Sequence, residues 1–386
     1  MRTILVTGAT GRVGRHVVDG LRAADASVRA LVRTPERAAL PSDVELVQGD
    51  ITDPAAVRRA ADGADAAFLL WPSFSADGAA AVIAELPRRV VYLSSLNAES
   101  GGVWGDVEQL LRATDRDWTF VRPSGFAVNA QNWADDFRTA DVVRVPSPEA
   151  ARSMIHERDI AAVAVLALLG DQHIGRAYEI TGPEAVSQAE QIRTIARTVG
   201  KPMRIEALDD AAARQAMLDL GADPILAESS VNYWASLVDN PEPVTTTVAE
   251  LTGRPARTFA EWAADHAAEF RVPTTAEVAR QYTAALSAGR LTEALALTAP
   301  DMVRVAPLET DGEEVELKGT DAILAHAHQQ SAAIDHDTIE VLGPLITDNH
   351  FAVRFTFPHT TKLSLCTVES GRIVREEVFY YTPPRA

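Results

Sequence analysis

The chain has 386 residues, more than one hydrophobic core ordinarily serves, and its 47% hydrophobic and 23% charged content is that of a globular protein. A formal net charge of −18 argues against a nucleic-acid or anionic-membrane surface, because both need basic patches. The lone Cys366 rules out an internal disulfide and fits a cytoplasmic setting; no apolar run is long enough to span a bilayer, and the first strand begins without a charged leader, so no signal peptide is expected.

In chain order, the apolar patterning predicts strands over Thr3–Val6, Ser27–Val32, Val44–Gln48, Ala66–Leu70, Arg89–Ser94 and Trp118–Arg122. Helices are expected between them over Gly14–Ala24, Pro54–Ala61, Asp77–Glu85 and Asp106–Thr114. This alternation is the signature of a doubly wound parallel α/β sheet. Asp159 reads as the N-cap of an Ala-rich helix over Ile160–Leu169. A strand over Tyr178–Thr181 precedes the Gly182-Pro183 turn, and residues 184–270 read as mainly helical. These elements assign residues 1–272 to one domain with a helical substrate lobe.

A second domain is expected over residues 273–386. Thr274 or Thr275 caps a helix carrying Val278, Tyr282 and Leu286 on one face, and further helices are expected over Leu291–Thr298 and Asp321–Gln330. Four strands follow, over Asp337–Ile346, Phe351–Phe357, Lys362–Glu369 and Ile373–Tyr381, with Ser370-Gly371 as a hairpin turn. Helices first and an antiparallel sheet afterwards indicate an α+β fold.

The motif with the most chemistry is Thr7-Gly8-Ala9-Thr10-Gly11-Arg12-Val13-Gly14. It sits between a strand and a helix, where main-chain amides and the helix dipole favour a diphosphate. Gly8 permits the turn, Gly11 lets backbone approach the phosphates, and Gly14 lets helix and strand pack closely. Arg33, at the end of the second strand, stands where an acidic residue would hold the ribose hydroxyls of NAD. With Arg12 it offers a fork to a 2′-phosphate, which favours NADP over NAD. Asp50, beside Ile51, is either an acceptor for the adenine amino group or a turn residue. Leu70, Trp71 and Pro72, together with Ser94 and Pro123 at later strand ends, are expected against the cofactor, since ligands in such sheets sit beyond the carboxyl ends of the strands.

The glycine spacing, Leu31-Val32-Arg33, Gly49-Asp50, Val91-Tyr92-Leu93-Ser94-Ser95 and Trp118-Thr119-Phe120-Val121-Arg122-Pro123 resemble the NmrA-like branch of the atypical short-chain dehydrogenases/reductases. Arg158-Asp159-Ile160-Ala161 and Tyr178-Glu179-Ile180-Thr181-Gly182-Pro183 extend the resemblance over roughly residues 1–270. It implies a Rossmann fold and NAD(P) binding, in a family that holds both reductases and cofactor-binding regulators. Reductases of the wider superfamily carry a Tyr followed four residues later by Lys. No tyrosine here has that partner: Tyr92 is followed at that spacing by Leu96, and Tyr178 by Gly182. A substrate carbonyl still needs a donor, and Ser94, Ser95 and Asn129 are the candidates, the serines alternatively satisfying only backbone at a strand end. Phe126, Trp133 and Trp71 offer an aromatic wall for a flat substrate.

Tyr282-Thr283-Ala284-Ala285-Leu286-Ser287-Ala288-Gly289, Gly319-Thr320-Asp321-Ala322-Ile323 and the closing Gly371-to-Tyr381 stretch resemble SnoaL-like domains, which have the nuclear transport factor 2-like cone fold. Arg354, Glu376 and Tyr380 are expected on one face of its sheet, as an acid-base cluster or as a structural ion pair. His326, His328, His336, His350 and His359 lack a metal-ligand spacing, so no metal is expected. Three functions stay open. The first is an NADPH-dependent reductase of a small aromatic or polyketide-like ketone or enone in secondary metabolism, its cone completing the pocket, presenting substrate or forming a homodimer. The second is an NADP(H)-sensing regulator without turnover. The third is a cyclase, isomerase or dehydratase with its chemistry in the cone.

Overall fold

The structure, a computed structural model, describes residues 2–219, 221, 224–307, 314–331, 338–341, 347–356 and 361–381. The chain forms two compact units: Met1–Ala134 with Asp141–Glu269, and Asp135–Ala140 with Phe270–Ala386.

The strands of the first unit are β1 (Thr3–Thr7), β2 (Ser27–Val32), β3 (Glu45–Gln48), β4 (Ala66–Leu69), β5 (Arg89–Leu93), β6 (Asp117–Pro123), β7 (Val142–Pro146), β8 (Ala151–Arg152), β9 (Arg176–Ile180), β10 (Val186–Ser187) and β11 (Arg204–Leu208). Seven of them make a parallel sheet in the order β3-β2-β1-β4-β5-β6-β9. The order reverses between β1 and β4, which opens a crevice above their carboxyl ends. Successive residues of β1 serve opposite cores: Ile4 and Val6 pack on one face with Phe68 and Val91, Leu5 on the other with Leu69 and Tyr92. Burial on both faces is why this strand is a continuous apolar run without alternation.

Helices α1 (Gly14–Ala23), α2 (Pro54–Ala61), α3 (Ala79–Glu85), α4 (Val103–Arg112), α5 (Ala134–Thr139) and α6 (Glu157–Leu169) follow in chain order. Residues of α1 and α6 complete the first core, and residues of α2, α3 and α4 the second. Gly20 lets α1 approach α6 closely, because a Cβ there would lie 2.9 Å from the Val165 side chain. The start of α6 corrects the capping expectation. The helix begins at Glu157, and the cap is His156, whose Nδ1 accepts from the Arg158 amide at 3.2 Å. Asp159 is fully buried inside the first turn instead. Its charge is met there by Arg254 at 2.9 Å, by the Arg257 guanidinium and by the Arg257 amide at 2.7 Å. The lobe after β9 comprises α7 (Gln188–Val199), α8 (Asp210–Asp219), α9 (Pro224–Asp239), α10 (Thr247–Thr252), α11 (Phe259–Asp265) and α12 (Ala267–Phe270).

In the second unit, most of α5, with α13 (Thr275–Ser287), α14 (Leu291–Leu295) and α15 (Thr320–Ser331), accompanies a six-stranded sheet. Thr274 caps α13 in a reciprocal box with Glu277. The strands are β12 (Thr298–Pro307), β13 (Glu314–Lys318), β14 (Thr338–Val341), β15 (His350–Thr356), β16 (Thr361–Glu369) and β17 (Arg372–Tyr381), in the order β13-β12-β17-β16-β15-β14. The Ser370-Gly371 turn has both residues left-handed, φ 48° and 73°, as a two-residue hairpin requires. β12 and β13 were not expected. Pro300 and Asp301 interrupt the apolar pattern of β12, and its register shifts between Thr298 and Val303. Because β12 runs parallel to β17, the sheet is mixed where a purely antiparallel one was expected. Asp335, His336, Asp337 and His359 lie outside the described residues.

Candidate functional site

The end of β1 is clipped to β4 by Thr7, whose hydroxyl donates to the Phe68 carbonyl at 3.0 Å and accepts from the Leu70 amide at 2.8 Å. The chain then turns at Gly8, which is left-handed at φ 65° and lies against Leu70; a Cβ there would meet the Leu70 side chain at 3.3 Å. The Gly11 amide closes the turn on the Gly8 carbonyl at 2.9 Å. At Gly14 a Cβ would stand 2.0 Å from that same carbonyl oxygen, so the helix starts directly on the turn only because this residue has no side chain. The N-cap of α1, Val13, makes no side-chain cap bond, and the first turn holds no acidic residue. Among the described residues nothing accepts from the Arg12, Val13 and Gly14 amides. Thr10, Gly11 and Arg12 are exposed. Unengaged amides at a helix start without a competing carboxylate fit the diphosphate of a dinucleotide.

Around this cradle, Arg33 is exposed just beyond β2. The Asp50 carboxylate accepts from the Thr52 amide at 2.9 Å and from its hydroxyl at 2.8 Å. Those bonds, with Arg33 nearby, hold its pKa below the usual range. One oxygen of Asp50 is thus engaged in the turn. Ile51 is half-buried against the second core. Trp71 is buried in that core, with its indole N–H on the Ser75 carbonyl at 2.8 Å, whereas Leu70 is half-buried and Pro72 exposed.

The two serines after β5 part company. Ser94 is buried, and its hydroxyl donates to Glu108 Oε1 at 2.6 Å. Glu108 is gripped by Arg122 through Nε at 2.9 Å and Nη2 at 2.6 Å, and Arg122 reaches Glu99 at 2.6 Å. The hydrogen bond to Glu108 pushes the Arg122 pKa up against the opposing effect of burial. Ser94 is one member of a buried ionic lock beneath the strand ends. Ser95 is half-buried, and among the described residues no hydrogen bond engages its hydroxyl. The Leu96 amide on the Pro123 carbonyl, 2.9 Å, ties the loop after β5 to the end of β6. Asn129 is exposed on the short 3-10 segment Ala127–Trp133; Phe126 and Trp133 flank it half-buried, and Phe126 is bridged to Ile155.

One cluster near this loop escaped the sequence reading. Arg152 on β8 pairs with the buried Glu242 at 2.6 Å and lies over the rings of Tyr233 and Trp234 at 5.4 and 5.3 Å. Gly125, next after β6 and Ser124, makes room for that guanidinium, since a Cβ would lie 2.6 Å from its central carbon. The Tyr233 hydroxyl donates to Glu242 at 2.6 Å and has the Asn97 side chain beside it, two residues after Ser95. Burial, chiefly, raises the phenol's pKa. No local pattern announces this group, whose members come from three distant segments. An open groove of about 410 Å³ lies elsewhere, between α1 and α6, lined by His16, Val165 and Leu166 and by no residue of the cradle. Among the described residues no helix is long and apolar enough to cross a membrane, and no group of three or more His, Cys, Asp or Glu gathers to hold a metal ion.

Comparison with known proteins matches residues 8–171 to an NAD(P)H-binding family model and residues 278–376 to a SnoaL-like domain. A (4-alkanoyl-5-oxo-2,5-dihydrofuran-3-yl)methyl phosphate reductase of Streptomyces griseus is 42% identical, over 69% of this chain and 99% of the relative. An NAD(P)H azoreductase of Xenophilus azovorans is 35% identical, over 69% of this chain and 99% of the relative. The NADPH complex of an Escherichia coli NADPH-dependent quinone oxidoreductase superposes with a TM-score of 0.59 at 23% identity, covering 68% of this chain and 99% of that one, a likeness of fold. The chain therefore belongs to the NmrA-like family of NAD(P)H-binding reductases, with a SnoaL-like domain following, and is an NAD(P)H-dependent oxidoreductase.

Proposed function

We propose that this protein reduces a small ketone or enone on an apolar, flat body, with NADPH preferred over NADH. The observation that carries the proposal is the helix start at Gly14, with its unengaged amides and no acidic residue in its first turn. The names of the two reductase relatives support it. Gly8, Thr10, Gly11, Arg12, Val13 and Gly14 hold the diphosphate on the turn that Thr7 clips to β4, and Arg33 with Arg12 reads a 2′-phosphate. Ile51, Leu70, Pro72 and Pro123 flank the nucleotide. The bound nicotinamide supplies the hydride. Ser95 donates a hydrogen bond to the substrate carbonyl oxygen, where negative charge develops, and Asn129 supplies a second donor. The lock of Ser94, Glu108 and Arg122 keeps the strand end rigid beneath Ser95. Phe126 and Trp133 exclude water on the substrate side.

A second reading, an NADP(H) sensor, is favoured by the absence of any tyrosine with a lysine four residues later. One experiment separates the two. NADPH is titrated by fluorescence, and its near-ultraviolet absorbance is then followed with a panel of quinones, enones and butenolides. Turnover with at least one class, lost in Gly11→Asp, is the expected result. Tight binding with no turnover across the panel would overturn the ketone and enone reading.

A further inference from the structure

The sheet of the second unit carries a charged cluster that the reductase reading does not use. Arg304 on β12 and Glu376 on β17 are paired across the parallel ladder, with Arg304 Nε 3.5 Å from Glu376 Oε2. Cys366 on β16 is directly opposite Glu376, so Lys362, Ser364 and Cys366, alternating along β16, share its face. Arg354, expected to join Glu376, is on the other face: its cross-strand partner is Leu363, and Glu376 belongs to the row of Cys366 and Phe351. The alternation of the strands thus replaces the expected arginine by Arg304 and Lys362.

The cluster is buried and electrically incomplete. Glu376 is 2% exposed, Ser364 0%, and the Arg304 side chain 12%. Among the described residues no hydrogen bond closes on Arg304 Nε, and the Ser364 hydroxyl is the neighbour placed to donate to the Glu376 carboxylate. Among the described residues no carboxylate comes within 4.0 Å of Lys362 Nζ, whose contact is the Phe355 ring at 4.6 Å. Lys362 lies deep in the unit yet keeps partial exposure, so solvent-sized groups reach it. Burial pushes its pKa down to about 8, which leaves it mostly protonated near neutrality; burial pushes the Cys366 thiol and the Tyr282 phenol up, and both stay neutral. Among the described residues, two cations face one carboxylate, with apolar neighbours such as Met302, Phe351 and Phe355. A buried charge without a partner is strongly unfavourable unless an anion completes it.

We propose that this sheet face binds a small organic monoanion, a carboxylate on an apolar body, held by Arg304 and Lys362 and opposed by Glu376. A single negative charge balances the cluster, whereas a phosphate dianion overshoots it. The proposal stands apart from the reductase reading, because every residue in it belongs to the second unit.

The test is calorimetry and thermal melting of the full chain with benzoate, 2-naphthoate, 2-naphthamide and inorganic phosphate. The carboxylates are expected to bind and to raise the melting temperature, with the neutral amide and phosphate weaker by about tenfold or more, the worth of a charge-assisted contact. Lys362→Met should weaken 2-naphthoate binding by a similar factor, with Lys362→Arg restoring most of it. Glu376→Gln should tighten it, because it removes the competing negative charge. Equal binding of 2-naphthoate and 2-naphthamide to the parent, no heat from either carboxylate, or weaker 2-naphthoate binding in Glu376→Gln would each overturn the proposal. The amide comparison needs no variant, so it holds even if a substitution unfolds the unit.

Discussion

Gly14→Ala against Gly11→Ala is the sharpest test of the cradle. In an ordinary helix, replacing glycine by alanine gains about 1 kcal/mol. At Gly14 the added Cβ would meet the Gly8 carbonyl oxygen at 2.0 Å, its carbon at 2.7 Å and the Ala9 Cα at 2.9 Å. All three are backbone atoms, so no rotamer relieves the clash, and the helix start must lift off the turn. Overpacking of this kind costs about 1–3 kcal/mol, and the rigid neighbours place Gly14 at the upper end. The net expectation is a loss of about 1–2 kcal/mol, or about 2–8 °C in melting temperature, together with a large loss of NADPH affinity. Gly11 differs: its Cβ meets a single atom, the Gly8 oxygen, at 3.1 Å, and the residue is exposed. Gly11→Ala should therefore melt near the parent while still weakening NADPH, because its methyl group occupies the surface where the diphosphate approaches. Scanning calorimetry and NADPH fluorescence titration on both variants read the two effects separately. A Gly14→Ala protein that melts at or above the parent and binds NADPH equally would refute the close-approach argument. A Gly11→Ala protein with unchanged affinity would refute the placement of the diphosphate.

Three further outcomes are expected. Arg33→Asp should lower NADPH affinity by about tenfold or more and spare NADH, as loss of a charge-assisted fork implies; an unchanged NADPH-to-NADH ratio removes Arg33 as the phosphate reader. Ser95→Ala should reduce kcat at nearly constant melting temperature, whereas Ser94→Ala, which strips a donor from the buried Glu108, should destabilise by about 1–3 kcal/mol; reversal of this pattern in paired kinetic and melting measurements would exchange the two roles. For His266, burial pushes the pKa down, but the Glu157 carboxylate, 3.0 Å away, and the Trp262 carbonyl outweigh it, so the folded pKa lies above the ordinary 6.5. Its stabilising contribution is then fully present below pH 6.5 and fades as pH rises through the folded value. In urea melts His266→Gln should fall further behind the parent at pH 6 than at pH 8, and a gap that does not change with pH would contradict the assignment.

Local patterning in the amino-acid order was enough to specify the seven strands of the first unit's main sheet, the helices α1 to α4 between them and the strand-turn-helix cradle, but not β7, β8, β10 and β11. The reason is physical: Gly8 and Gly14 satisfy steric demands set within eight residues, and the apolar run of β1 is itself the mark of burial on both faces. The same holds for the Thr274–Glu277 cap and the Ser370-Gly371 turn, whose determinants are adjacent in the chain. Where charge balance or packing joins distant segments, periodicity carried no signal. Asp159 looks like a cap until Arg254 and Arg257 fold back onto it. Ser94 and Ser95 are indistinguishable in the chain, and only Glu108 and Arg122 separate them. The Arg152–Glu242–Tyr233 group has no local signature at all. In the second unit, one residue's parity along β15 and β17 decides that Glu376 faces Arg304 and Lys362 and not Arg354. Such partners are chosen by which strands become neighbours, and that is settled only when the whole sheet assembles.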